Sequence, residues 1–167
     1  MKTIRRWGLG GALALSLVLA ACDVQRIQEM EVGVSSEADV RSKWGEPAAV
    51  YDNSDGSRTL EYPRQPMGQV NYMMEIGADG KLKAMRQVLK AEQFAKVTPG
   101  LDKAQVRRLI GKPANVQTFE LKKEEVWDWR WLDNHAPKLF SVTFGADGKV
   151  ASTAVSDDRP GGGGDRN

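Results

Sequence analysis

One cysteine, Cys22, and one histidine, His135, stand among 167 residues. A lone cysteine excludes a disulfide within the monomer, so the fold must be held by its core. With so few Cys and His side chains, the clustered ligands of a structural zinc site are excluded as well. Neither charge dominates: 24 Lys and Arg face 22 Asp and Glu. Setting aside Lys2, Arg5 and Arg6 leaves 21 basic against 22 acidic residues over 22–167, a net of −1. A near-neutral chain has no broad electrostatic reason to seek nucleic acid, so no nucleic-acid partner is expected. Nor is there an apolar run of the roughly 20 residues that a membrane-spanning helix needs.

What apolar run there is lies at the start. Lys2, Arg5 and Arg6 lead into 15 uncharged residues, Trp7 to Ala21, including Leu9, Leu13, Leu15, Leu17, Val18 and Leu19. A basic lead, a short apolar stretch and small residues at its end read as a signal peptide over 1–21. The stretch ends in Leu19-Ala20-Ala21-Cys22, which resembles the bacterial lipobox. That resemblance implies a diacylglycerol on the thiol of Cys22, further acylation such as palmitate, and a mature chain tethered to membrane lipid by its first residue. The simpler alternative is an ordinary secretory signal with an incidental free thiol. The resemblance implies an outer-membrane, periplasm-facing location, while Asp23 after the cysteine leaves the inner membrane open.

Self-comparison is the most informative step. Residues 36–50 set against 102–116 share Ala38/Ala104, Val40/Val106, Arg41/Arg107, Gly45/Gly111, Pro47/Pro113, Ala48/Ala114 and Val50/Val116. Gly77-Ala78-Asp79-Gly80-Lys81 then recurs as Gly145-Ala146-Asp147-Gly148-Lys149, and Leu60-Glu61-Tyr62 matches Trp127-Asp128-Trp129 in type. The matches keep their order, so the chain reads as two copies of one unit. The expected division is 1–21 signal peptide, 22–32 lipidated linker or helix, 33–89 first unit, 90–156 second unit and 157–167 a disordered, glycine-rich tail.

Each unit carries the same local signals. Ser36 with Asp39, and Asp102 with Gln105, approximate capping boxes that open helices near 37–44 and 103–110. Gly45 and Gly111 stop them, and Pro47 and Pro113 prevent resumption. Beyond the prolines the polarity alternates: Trp127, Trp129 and Trp131 share one strand face, Asp128 and Arg130 the other. Phe140, Val142 and Phe144 mark a further strand, as do Tyr72, Met74 and Ile76 in the first unit. Asp-Gly between alternating runs predicts hairpins at both Ala-Asp-Gly-Lys segments. With third strands near 81–88 and 149–155, and leading helices within 24–34 and 89–97, the fold class is α+β. Two tandem ααβββ units are expected, each an antiparallel three-stranded sheet with helices packed on one face.

Lipobox, capped helix, Gly-x-Pro, aromatic strand and Asp-Gly-Lys turn together resemble the SmpA/OmlA (BamE-like) family of outer-membrane lipoproteins. The second unit carries it through Gly100, Val106, Leu109-Ile110-Gly111-Lys112-Pro113, Trp127, Trp129 and Phe144 to Val150. The first carries it through Val40, Trp44-Gly45-Glu46-Pro47 and Gly77 to Leu82. The resemblance covers nearly all of 33–155 and departs from the family in having two units. It implies a non-catalytic, lipid-anchored scaffold in outer-membrane β-barrel assembly or envelope integrity, with barrel-assembly components as partners. The tandem arrangement also resembles the β-lactamase inhibitory proteins, which implies as alternative an enzyme-binding sheet face.

No Ser/His/acid arrangement, carboxylate pair or phosphate-cradling glycine loop is present, so no enzyme, catalytic residue, metal or cofactor is expected. His135, in Asp133-Asn134-His135-Ala136-Pro137, reads as a solvated turn residue. Asp52-Asn53-Ser54-Asp55-Gly56 lacks the spaced glutamate of a calcium loop and reads as a hairpin turn. The tryptophan stripe reads as a core face for Trp127 and Trp129, with Trp131 the best candidate for exposure. The candidate partner contacts are the outward strand residues Glu61, Met73, Glu75, Asp128 and Arg130, with Tyr62 and Trp131.

Overall fold

The computed structural model describes residue 23 and residues 25–158. The expected signal peptide, the expected lipid-attachment residue Cys22 and residues 159–167 of the expected tail lie outside the described residues. Asp157 ends a strand and Asp158 is bonded to Arg130, so the first two residues of that tail are built into the fold.

Two capped helices set the frame. Helix α1 (Glu37–Trp44) starts where Ser36 Oγ accepts the Asp39 N–H at 3.2 Å and the Asp39 carboxylate accepts the Ser36 N–H at 2.8 Å. The corresponding helix of the second half, Lys103–Ile110, starts at Asp102 in the same reciprocal way with Gln105, at 2.8 and 2.9 Å. Such caps contribute about 1 kcal/mol each by satisfying orphan N–H groups. Gly45 and Gly111 end the helices at φ of 80° and 78°. Between them lies a single short turn of helix, α2 (Ala91–Phe94), which makes the second capped helix α3.

The strands form two separate antiparallel meanders. The first runs β1 (Ala49–Asp52), β2 (Arg58–Pro63), β3 (Asn71–Ile76) and β4 (Leu82–Gln87), in that spatial order. The second runs β5 (Asn115–Phe119), β6 (Glu124–Asp133), β7 (Ala136–Phe144) and β8 (Val150–Asp157). The Asp-Gly segments close β3–β4 and β7–β8: the Gly77 N–H donates to Lys81 C=O at 2.8 Å, and the Gly145 N–H to Lys149 C=O at 2.9 Å. In both halves the residue before the helix cap also accepts from the start of the last strand, Leu82 N–H to Ser35 C=O and Val150 N–H to Leu101 C=O, each at 2.8 Å.

The expected ααβββ unit with a three-stranded sheet is therefore corrected to one with four strands and shorter helices. The missed strands, β1 and β5, follow Pro47 and Pro113. Each pairs on one side only, and β5 is exposed at every residue. β5 buries neither face and so shows no polarity alternation, and β1, which half-buries one face, is too short at four residues to show a period. The leading helices are also shorter than expected: among the described residues 23 and 25–28 are helical in the first half, and α2 has four residues in the second.

Each sheet packs one face on its own helix. Val40 and Trp44 of α1 meet Leu60, Tyr62, Met74, Ile76 and Leu82. Val106 and Ile110 of α3, with Phe94 of α2, meet Trp129, Trp131, Phe140, Val142 and Phe144. The aromatic residue opposite each helix end also caps it by hydrogen bond. Tyr62 Oη donates to Gly45 C=O at 3.0 Å, and Trp129 Nε1 donates to Gly111 C=O at 2.9 Å. Burial pushes the Tyr62 phenol up to about 12.

Candidate interaction surface

The outer face of the first sheet, expected to meet solvent or a partner, is where the second half docks. Glu61 on β2 is 0% exposed. Its carboxylate accepts from Tyr51 Oη at 2.6 Å, from Arg107 Nε at 3.1 Å and from the Lys112 backbone N–H at 2.8 Å. Beside it the buried Asn71 amide donates to Ile110 C=O at 2.8 Å and Lys112 C=O at 3.1 Å. Sheet side chains thus take up the C-terminal end of α3, whose carbonyls have no intrahelical donor. Burial, then the bond to Glu61 and its charge, pushes the Tyr51 phenol well above its ordinary value.

This placement corrects the exposure expected of most of the candidate contacts. Glu61 and Met73 are enclosed between the halves, out of a partner's reach. Tyr62 is in the first core and Trp131 in the second, where Phe94 meets the Trp131 ring edge-on at 5.0 Å. Asp128 is buried and accepts from Ser141 Oγ at 2.6 Å. Two residues keep partial exposure. Glu75 lies 3.7 Å from Arg86, and Arg130 binds Asp158 at 2.6 Å. The seven residues are spread over two cores, a junction and two sheet faces, and form no single site.

Gln65 tightens the junction further. Its amide donates to Arg130 C=O at 2.7 Å, with its oxygen 3.4 Å from the Arg130 N–H. β5 pairs with β6 only as far as Asp128, so this side chain takes the place of a strand partner at Arg130. His135 is exposed in the β6–β7 turn, where Asn134 and His135 have φ of 46° and 71°. In the β1–β2 turn Asp55 Oδ1 accepts both the Ser57 N–H and its hydroxyl. Among the described residues no group of three or more His, Cys, Asp or Glu is placed to hold a metal ion. No helix among them is long and apolar enough to cross a membrane.

Exposed apolar side chains are scattered, with Val32, Val34, Val50, Met67, Leu132 and Val155 among them, and three fall close together in sequence on the β5 edge and the turn that follows. Val116 is 50% exposed, Phe119 37%, and Leu121 projects fully into solvent. An edge strand offers unpaired backbone donors and acceptors, and large apolar side chains along it make a docking site for an extended segment. Glu120, Lys122 and Lys123 flank Leu121, the kind of charges that restrain indiscriminate edge pairing. Sequence reasoning passed over this segment because it shows neither helical nor alternating periodicity.

No family model matches the chain, and no curated protein does. Solved structures give distant likenesses. A candidate osmotically inducible lipoprotein, OsmE, aligns at 22% identity over 39% of this chain and 68% of that one, with a TM-score of 0.36. A DUF4309 protein, YjgB, from Bacillus subtilis aligns at 18% identity over 78% of this chain and 84% of its own, TM-score 0.31. A candidate β-lactamase inhibitor protein from Streptococcus mutans aligns at 11% identity over 86% and 96%, TM-score 0.32. At these scores the likenesses carry no functional argument.

Proposed function

We propose that this chain is a non-catalytic, lipid-anchored envelope scaffold similar to the SmpA/OmlA lipoproteins, with β5 as its protein-binding edge. The observation that carries the reading is the environment of Asp23, the residue after the lipobox cysteine. Its carboxylate accepts from Arg64 Nε and Nη2, both at 2.9 Å, and it is 8% exposed. A two-pronged Arg–carboxylate contact fixes position as well as charge. It seats the chain against the first half one residue after Cys22. Acyl chains on that thiol would hold the body close to the bilayer with no linker between. A single acyl chain binds membranes marginally, so stable anchoring calls for more than one.

Barrel-assembly components are the proposed partners, and the outer membrane the proposed location. The test replaces Cys22 with Ser, and separately places a photo-crosslinking residue at Phe119 or Leu121. The parent should take up labelled palmitate and sediment with membranes. Cys22→Ser should do neither. Adducts should form from Leu121 and not from a crosslinker at Thr153. A Cys22→Ser product that stays membrane-held would remove the anchor, and silence from both Phe119 and Leu121 would remove the edge.

A further inference from the structure

The junction of the two halves encloses a cleft of about 170 Å³ between the outer face of the first sheet and helices α2 and α3. Its charge is one-sided. Arg86 from β4, Lys96 from the segment after α2 and Arg108 from α3 all line it, and no carboxylate does. Lys96 and Arg108 make no ion pair among the described residues, and Arg86 has Glu75 only at 3.7 Å. Arg108 is held in place without an acid, its guanidinium 4.9 Å from the Tyr51 ring centre. Cations converging on one concave wall reinforce one another's field, although each keeps solvent contact. In a chain whose charges otherwise nearly cancel, that concentration favours an anion. The Gln93 side-chain oxygen, also in the wall, is buried with no hydrogen-bond partner among the described residues, a cost that a donor on a bound ligand relieves.

The geometry points to a phosphate-binding site in this cleft, taking a single phosphate or phosphomonoester group with the rest of the ligand outside the mouth. Two guanidiniums and an ammonium suit a doubly charged oxyanion, since Arg forks pair two oxygens at once. The volume is below the range of pockets that enclose whole drug-sized ligands, which limits the occupant to one such group. Doubly charged hydrogen phosphate, or a phosphomonoester in its singly protonated form, also supplies the donor that Gln93 lacks, which sulfate does not. The phosphate can belong to a free small molecule or to a lipid headgroup. The site needs neither Cys22 nor the β5 edge, so it stands or falls separately from the scaffold reading.

Calorimetry on the full chain in non-ionic detergent, with inorganic phosphate, glycerol 3-phosphate and sulfate as probes, tests the free-ligand source. Phosphatidylcholine vesicles with and without phosphatidic acid test the headgroup source. Lys96→Ala/Arg108→Ala should weaken the phosphate probes by roughly tenfold or more, the scale of lost charge-assisted hydrogen bonds. Both side chains are at the surface, and a thermal melt checks that the fold survives. Arg108→Lys, which keeps charge without the fork, should fall between. Variant-sensitive binding of either free phosphates or phosphatidic acid vesicles supports the site and names its source. No binding to any phosphate probe, equal binding of sulfate, or binding unchanged in the double variant overturns it.

Discussion

Glu61→Ala is expected to destabilise the folded chain by about 3 kcal/mol, the lower end of the range for breaking a buried ion pair from one side. The carboxylate is fully buried, whereas the Arg107 side chain keeps 35% of its surface in solvent and can rehydrate when its partner goes. The Lys112 N–H and the Tyr51 hydroxyl also lose their acceptor. In a chain of this size the melting temperature should fall by roughly 6–12 °C. Glu61→Gln keeps the shape and one carbonyl acceptor, so about 1 kcal/mol is expected. Because Glu61 and Arg107 touch, Glu61→Ala and Arg107→Ala should be clearly non-additive in a double-mutant cycle. Urea unfolding of the parent and the four variants decides it. If alanine costs no more than glutamine, the carboxylate does not hold the halves together.

Glu61 also marks where sequence reasoning stops. Alternation along 60–62 separates two strand faces correctly: Leu60 and Tyr62 point into the first core, and Glu61 points away. It cannot say what covers the second face. A carboxylate there reads as solvated unless its cation is known, and Arg107 lies 46 positions further along the chain. Signals confined to a few residues were legible for the opposite reason. The reciprocal caps at Ser36/Asp39 and Asp102/Gln105, the glycine stops and the Asp-Gly hairpins are each decided by local hydrogen bonds and dihedrals, and all are present. The helix-facing placement of Trp127 and Trp129 was legible too, because it needs only the period of a strand. Trp131 was misplaced at the surface since Phe94, which covers it, comes from a helix of four residues with too few positions to show a period. The β5 edge was not legible for want of any buried face.

Gly111→Ala should cost distinctly more than Gly45→Ala, although the two glycines hold nearly the same backbone conformation. Gly45 has φ 80° and ψ −166°, and Gly111 has φ 78° and ψ −173°, a region open essentially to glycine alone. Alanine at either position is therefore expected to lose about 1–3 kcal/mol from the backbone. The surroundings then differ. A Cβ on Gly45 meets nothing within 4 Å, while one on Gly111 lies 2.8 Å from Asn71 Nδ2. That atom is the donor to Ile110 C=O and Lys112 C=O, and Asn71 is fully buried with no room to step aside. Losing those bonds should add about 1–3 kcal/mol at Gly111 alone. The excess should shrink when Gly111→Ala is made on an Asn71→Ala background, where the clashing amide is already gone. Equal losses at the two glycines, or an excess that survives Asn71→Ala, would mean that the α3 end is not gripped by the first sheet. The same outcome would leave the cleft beside it, and its three cations, without a fixed wall.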